Sequence, residues 1–157
     1  MLYSRLGHLF SFKGKDMSKG DNFETDILAL IFNATAIPEL AEDDSTAPAT
    51  TLTVALHTAD PGEAGTQLTS EIAYTGYARI AVARTSGGWT VAGNSVSPAA
   101  VITFGEMTGG AGGTVTHFSI GTGTADELLY FGTVTPNIVV SNGVTPELTT
   151  ATAITED

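Results

Sequence analysis

The sequence predicts a mainly β protein: a single β-sandwich, jelly-roll-like, of seven or eight short strands, preceded by one N-terminal helix and an extended arm. Three observations predict it. From Leu52 onward, apolar and polar residues alternate with the period of half-buried strands. These runs recur roughly every 8–12 residues, with Gly, Pro, Asn and Asp between them, the spacing of a sandwich. The 157 residues include 18 Gly and many Thr, which suit tight turns and pleated surfaces, and the length is that of one domain with a real core.

The chain divides into a basic arm over residues 1–20, a helix with an acidic linker over 21–51, and the sandwich over 52–157. The helix is predicted at 21–33. Asp21 caps it and Glu24 completes a capping box, with Asp26 also in the first turns, where the helix dipole favours acids. Phe23, Ile27, Leu30 and Ile31 recur at helical spacing, with Leu28 beside them, and form the face expected to pack. Pro38 and the run from Glu39 to Thr51 read as a polar connection, in which Glu42-Asp43-Asp44 is a solvated acidic stretch rather than a cation site.

The strands follow in order. Leu52, Val54 and Leu56 alternate with Thr53, Ala55 and His57, until Asp60-Pro61-Gly62 breaks the pattern and a loop runs through Gly65. Residues 76–84 alternate again, and Gly87-Gly88 turns the chain into Trp89-Thr90-Val91, followed by a turn at Gly93-Asn94. Val101 to Phe104 is a short apolar strand, and Gly109 to Gly113 is a turn before Thr114 to Ile120. Leu128 to Thr135 and Asn137 to Val140 read as two strands separated by Pro136. Ser141-Asn142-Gly143 reads as a hairpin turn, because Asn-Gly suits positive φ angles, and Val144 to Ile154 ends the pattern.

Charge is unevenly spread. Residues 1–19 hold Arg5, Lys13, Lys15 and Lys19 against Asp16 alone, a net +3. Residues 20–157 hold only Arg79 and Arg84 against sixteen acids, a net −14. Such a body is unsuited to nucleic acid, which is gripped by neutralising phosphates, or to anionic lipid. No apolar run approaches the ~18 residues of a membrane span, and Gly7, His8 and Ser11 interrupt the start too much for a signal peptide. The absence of Cys excludes disulfides and thiolate chemistry. The arm is expected to grip a neighbouring subunit through Tyr3, Arg5, Phe10, Phe12, Lys13 and Lys15, joined by the helix residues Phe23, Ile27, Leu30 and Ile31. A second reading stands for residues 1–16: Lys13-Gly14-Lys15-Asp16 needs the purine-rich codons of a ribosome-binding site, with translation beginning at Met17.

No chemistry-bearing motif emerges. His57, Asp60 and Ser70 supply the residue types of a hydrolytic triad, yet no Gly-x-Ser-x-Gly elbow accompanies them. The histidines lack metal-ligand spacing, and the Gly-rich stretches lack the Gly-Lys-Ser/Thr of a phosphate loop and the third glycine of a dinucleotide fingerprint. The acids cannot be paired for glycoside hydrolysis. Trp89, Tyr74, Tyr77 and Tyr130 are the residues of a sugar platform, although aromatics in a β domain are more often core and rim. The expectation is a protein without catalytic residues, cofactor or metal.

Three stretches carry a family resemblance: Leu56 through Gly65, Tyr74-Thr75-Gly76-Tyr77-Ala78-Arg79, and Ala83 through Val91. With Val134-Thr135-Pro136-Asn137 and Ser141 through Pro146, they resemble small structural proteins of tailed bacteriophages and prophages, often labelled tail fibre proteins. The resemblance covers residues 17–157 and implies a virion component made in the host bacterial cytoplasm. The expected function is a capsid decoration (cement) protein stabilising subunit junctions. Its partners would be the major capsid protein or other virion subunits and further copies of itself, a trimer above all, with neither nucleic acid nor membrane. The alternative is a tail fibre, tail-tip or baseplate module that contacts a host receptor through the loop 57–73 and the aromatics.

Overall fold

The computed structural model describes residues 21–36, 49–123 and 126–156. The expected arm residues Tyr3, Arg5, Phe10, Phe12, Lys13 and Lys15, and most of the acidic linker, lie outside the described residues, as does the side chain of Phe23.

The described residues are mainly β with one helix, and their sheets are antiparallel. Helix α1 (Asp21–Asn33) has the predicted bounds. It stops where Ala34 turns to φ +53° and Thr35 N–H donates to Ala29 O at 3.1 Å. β1 (Thr51–His57), β2 (Ile80–Ala83), β6 (Gly113–Gly121) and β7 (Tyr130–Val140) form a four-stranded sheet in the order β2-β1-β6-β7. β3 (Trp89–Ala92), β4 (Ser95–Pro98) and β9 (Ile154–Thr155) form a second sheet, and β5 (Ile102–Thr103) pairs with β8 (Glu147–Leu148). All three sheets and α1 supply side chains to one contiguous core, the sandwich-like arrangement expected of amphipathic strands.

Among the described residues nine strands stand where eight segments are read from the sequence: β4 is added, the two segments around Pro136 are one strand, and Val144 to Ile154 splits into β8 and β9, for local reasons. Ser95–Pro98 has one strongly apolar residue, Val96, and reads as turn until its pairing with β3 fixes it. Pro136 does not divide two strands: β7 runs through it, on the outer edge of its sheet where a missing N–H is tolerated, with a bulge opposite Val115 and His117. Ser141 to Val144 closes a turn, with Gly143 at φ +85°. The turn is not a hairpin, however, because β8 leaves β7 to pair with β5.

The helix buries a different line from the one its pattern suggests. Leu28 and Phe32 are fully buried and Glu24 nearly so, residues four apart along one face. Ile31 packs on the core from its margin, while Ile27 and Leu30 are only half-buried. Phe32 meets Trp89 edge-on with ring centroids 4.9 Å apart, and Tyr130 at 5.7 Å. Thr25 Oγ1 donates to Gly93 O at 2.7 Å, pinning α1 to the β3–β4 turn. At its C-terminal end Arg84 donates to Leu30 O and Ile31 O, each at 2.6 Å, where helix carbonyls lack partners and the dipole favours a cation.

Candidate functional site

Alternation along β1 places Leu52, Val54 and Leu56 inside and should leave His57 toward solvent. Instead the strand is buried on both faces at its end, because the segment 58–73 folds back over it. Thr58 N–H donates to Ser70 O and Ile72 N–H to Leu56 O, both at 2.9 Å, and His57 bridges to Glu71. Covering a strand end with an irregular loop strands polar groups, so the loop must bring partners with it.

It does so through a continuous network. His57 is fully buried, with Nδ1 2.8 Å from Thr69 O and Nε2 2.7 Å from Ser119 Oγ. A carbonyl only accepts, so the proton sits on Nδ1 and Nε2 accepts from the Ser119 hydroxyl. Burial is the largest influence on this imidazole and lowers its pKa below the ordinary 6.5, while the Thr69 carbonyl and Glu71 pull the other way. Gln67, also fully buried, donates from Nε2 to Thr53 O at 3.0 Å and Ser119 Oγ at 3.3 Å, and accepts from Thr53 Oγ1 at 2.8 Å.

Beside it Arg79 grips Glu71 with two parallel bonds, Nε to Oε1 at 2.8 Å and Nη2 to Oε2 at 2.7 Å, and reaches Asp126 Oδ1 with Nη1 at 2.6 Å. The Glu71 bond is the main reason the guanidinium holds its proton more firmly than usual. Tyr77 O–H donates to Glu71 at 2.9 Å and accepts from Leu56 N–H at 3.0 Å; burial pushes its phenol pKa up. Gly76 and Gly105 pass so closely that a Cβ on either would overlap a carbonyl of the facing segment. The result is an exposed loop, carrying Asp60, Glu63 and a Leu68 side chain that is 62% exposed, on a rigid polar base.

The hydrolytic set is not assembled. Asp60 Oδ1 accepts from Gly62 N–H at 2.8 Å, while His57 is engaged by Thr69 and Ser119. The His57–Ser119 pair has the contact of an activated hydroxyl, but both residues are fully buried and Nδ1 faces a carbonyl rather than a carboxylate. Among the described residues, no group of three or more His, Asp or Glu side chains is placed to hold a metal. The four aromatics do not form one platform either. Trp89 and Tyr130 pack with Phe32, and Tyr74 and Tyr77 lie 5.3 Å apart near Phe104. Sequence reasoning missed Gln67, Ser119 and the Arg79–Glu71 pair. Their partners lie 8 to 62 positions away, so no local pattern carries them.

The two regions sit at opposite ends of β1. At its start Arg84 N–H donates to Thr50 O beside the end of α1; at its finish His57 enters the polar network, about 20 Å away for a seven-residue strand. A single body thus joins a helical end to a braced loop end. The family described as podophage GP4 fiber I protein gp80 matches residues 19–155, nearly all of this architecture. The chain belongs to that family. It is therefore a phage fibre-type structural protein and a component of the virion. No individual curated protein matches it.

Proposed function

We propose that the chain is a non-enzymatic fibre-type subunit of a tailed-phage virion, anchored at its α1 end and presenting the braced loop 58–73 outward. The family match across 19–155 carries this reading. The geometry supports the polarity: half-buried Ile27 and Leu30 lie on the α1 side, and the exposed tip with Asp60, Glu63 and Leu68 lies at the far end of β1. Its partners on this reading are other virion subunits and further copies of itself, a trimer being the expected form.

Capsid decoration is the second reading, supported by the compact acidic body and the lack of any repetitive shaft in the sequence. On either reading an interface of the standard size, ~1,600 Å² per contact, would be repeated over many copies. Gold-labelled tags imaged on intact virions separate them. Label on tail-proximal appendages supports the fibre reading, and label over capsomer junctions supports decoration. Absence from purified virions sinks both.

A further inference from the structure

A second concave surface lies away from the braced loop. The bulged part of β7 and the return between β8 and β9 enclose a hollow of about 500 Å³. Val134, Pro136, Ile138 and Leu148 give it an apolar wall, with Phe118 contributing and Glu147 the only charged group among the described residues that line it. One of its walls is the edge strand of the four-stranded sheet, β7, which has no second partner strand among the described residues and whose Val139 is 66% exposed. An edge with an apolar hollow beside it is a template for one more extended segment.

The charge pattern says which segment fits. Residues 20–157 carry −14, and both arginines of that region are used internally, Arg79 on Glu71 and Asp126 and Arg84 on helix carbonyls. Identical bodies of this charge repel one another. The first nineteen residues are the one cationic stretch of the chain, at +3, and they carry Tyr3, Phe10 and Phe12 for an apolar wall. Nineteen extended residues span up to about 65 Å, well beyond the ~35–40 Å width of a body this size, so the segment can bridge to a neighbour.

We infer that the hollow beside β7 receives the basic, aromatic leader, residues 1–19, of a second copy of this chain. This deepens the reading of the chain as a self-associating virion subunit and rests on it. Leader in trans replaces repulsion between bodies with attraction, and its aromatic side chains bury against Ile138 and Pro136.

The chain has no Cys, so introduced thiols report contacts without background. Full-length Phe12→Cys is mixed with full-length, size-tagged Thr135→Cys, a position lining the hollow, and disulfide heterodimers are followed on non-reducing gels. Ala81→Cys, exposed on the far edge strand β2, is the control partner. Trapping with Thr135→Cys is expected to be at least tenfold faster than with Ala81→Cys in about 0.05 M salt, and at least tenfold slower at about 0.5 M salt. Equal rates for the two partners overturn the inference. So does closure only within a Phe12→Cys/Thr135→Cys double variant, which would place the leader on its own body. Because the assay uses purified chain, its failure leaves the virion assignment standing, and an unexpected position in the virion leaves the trapping result intact.

Discussion

The α1 end and the loop end of this molecule solve the same problem with opposite chemistry. At the α1 end, Leu28, Phe32, Trp89 and Val96 are fully or almost fully buried and hold the helix by apolar contact, with few polar constraints beyond Thr25 and Arg84. At the loop end, His57, Gln67, Ser119, Arg79 and Glu71 hold an irregular segment through bonds of fixed direction. Apolar burial is non-directional and scales with area, so it supplies stability. A connected polar network contributes less net free energy but penalises any displacement, so it fixes a shape. The α1 end is built to hold, and the loop end is built to keep its geometry.

The largest test of this contrast is Phe32→Ala, which removes the ring between Trp89 and Tyr130. Urea unfolding followed by the fluorescence of Trp89, the sole tryptophan, should show a loss of about 3–5 kcal/mol. A loss under ~1 kcal/mol would mean the helix is not held by this cluster. At the other end, Arg79→Met leaves Glu71 and Asp126 without their cation. Asp126 is 38% exposed, so the cost is expected at about 2–3 kcal/mol, below that of a fully buried pair. The double variant Arg79→Met/Glu71→Leu should recover more than half of it, because the more buried of the two stranded carboxylates is gone and Asp126 is left to solvent. A single variant costlier than Phe32→Ala would reverse the comparison.

How legible each end was follows from the same difference. Helix α1 was readable from Asp21, Glu24 and its apolar repeat, and β1, β3 and β6 from their alternation, because these signals are local. The buried face of the helix was not. Glu24 takes an inward position that its residue type does not announce, and Phe32 closes the line only because Trp89 waits opposite it. β4 was hidden by its serines and terminal proline, and β8 by its two-residue length and its pairing with β5, 44 positions earlier. The polar network was illegible for the deepest reason: a histidine in a strand pattern looks the same whether solvent or Ser119 faces it. The family wording around His57 and Arg79 pointed to the virion, and the family match bears that out without distinguishing head from tail.

The claim that polar bonding fixes the loop while apolar packing fixes the helix is tested most directly by amide hydrogen exchange at two pH values. His57 titrates below the ordinary 6.5 because it is buried, with Glu71, Arg79 and His117 the charged and titratable groups around it. The unfolded or opened loop therefore takes up a proton first. The contribution of the closed state is complete above about pH 6.5 and declines as pH falls, by up to about 1.4 kcal/mol per pH unit. Between about pH 7.5 and about pH 5.5, after correction for intrinsic rates, the amides of Thr58, Gln67 and Ile72 should lose protection several-fold, with about tenfold the ceiling for one histidine. Those of Trp89 and Ala99, near α1, should keep theirs. A uniform loss at both ends, or unchanged protection at Thr58, Gln67 and Ile72, would contradict the account.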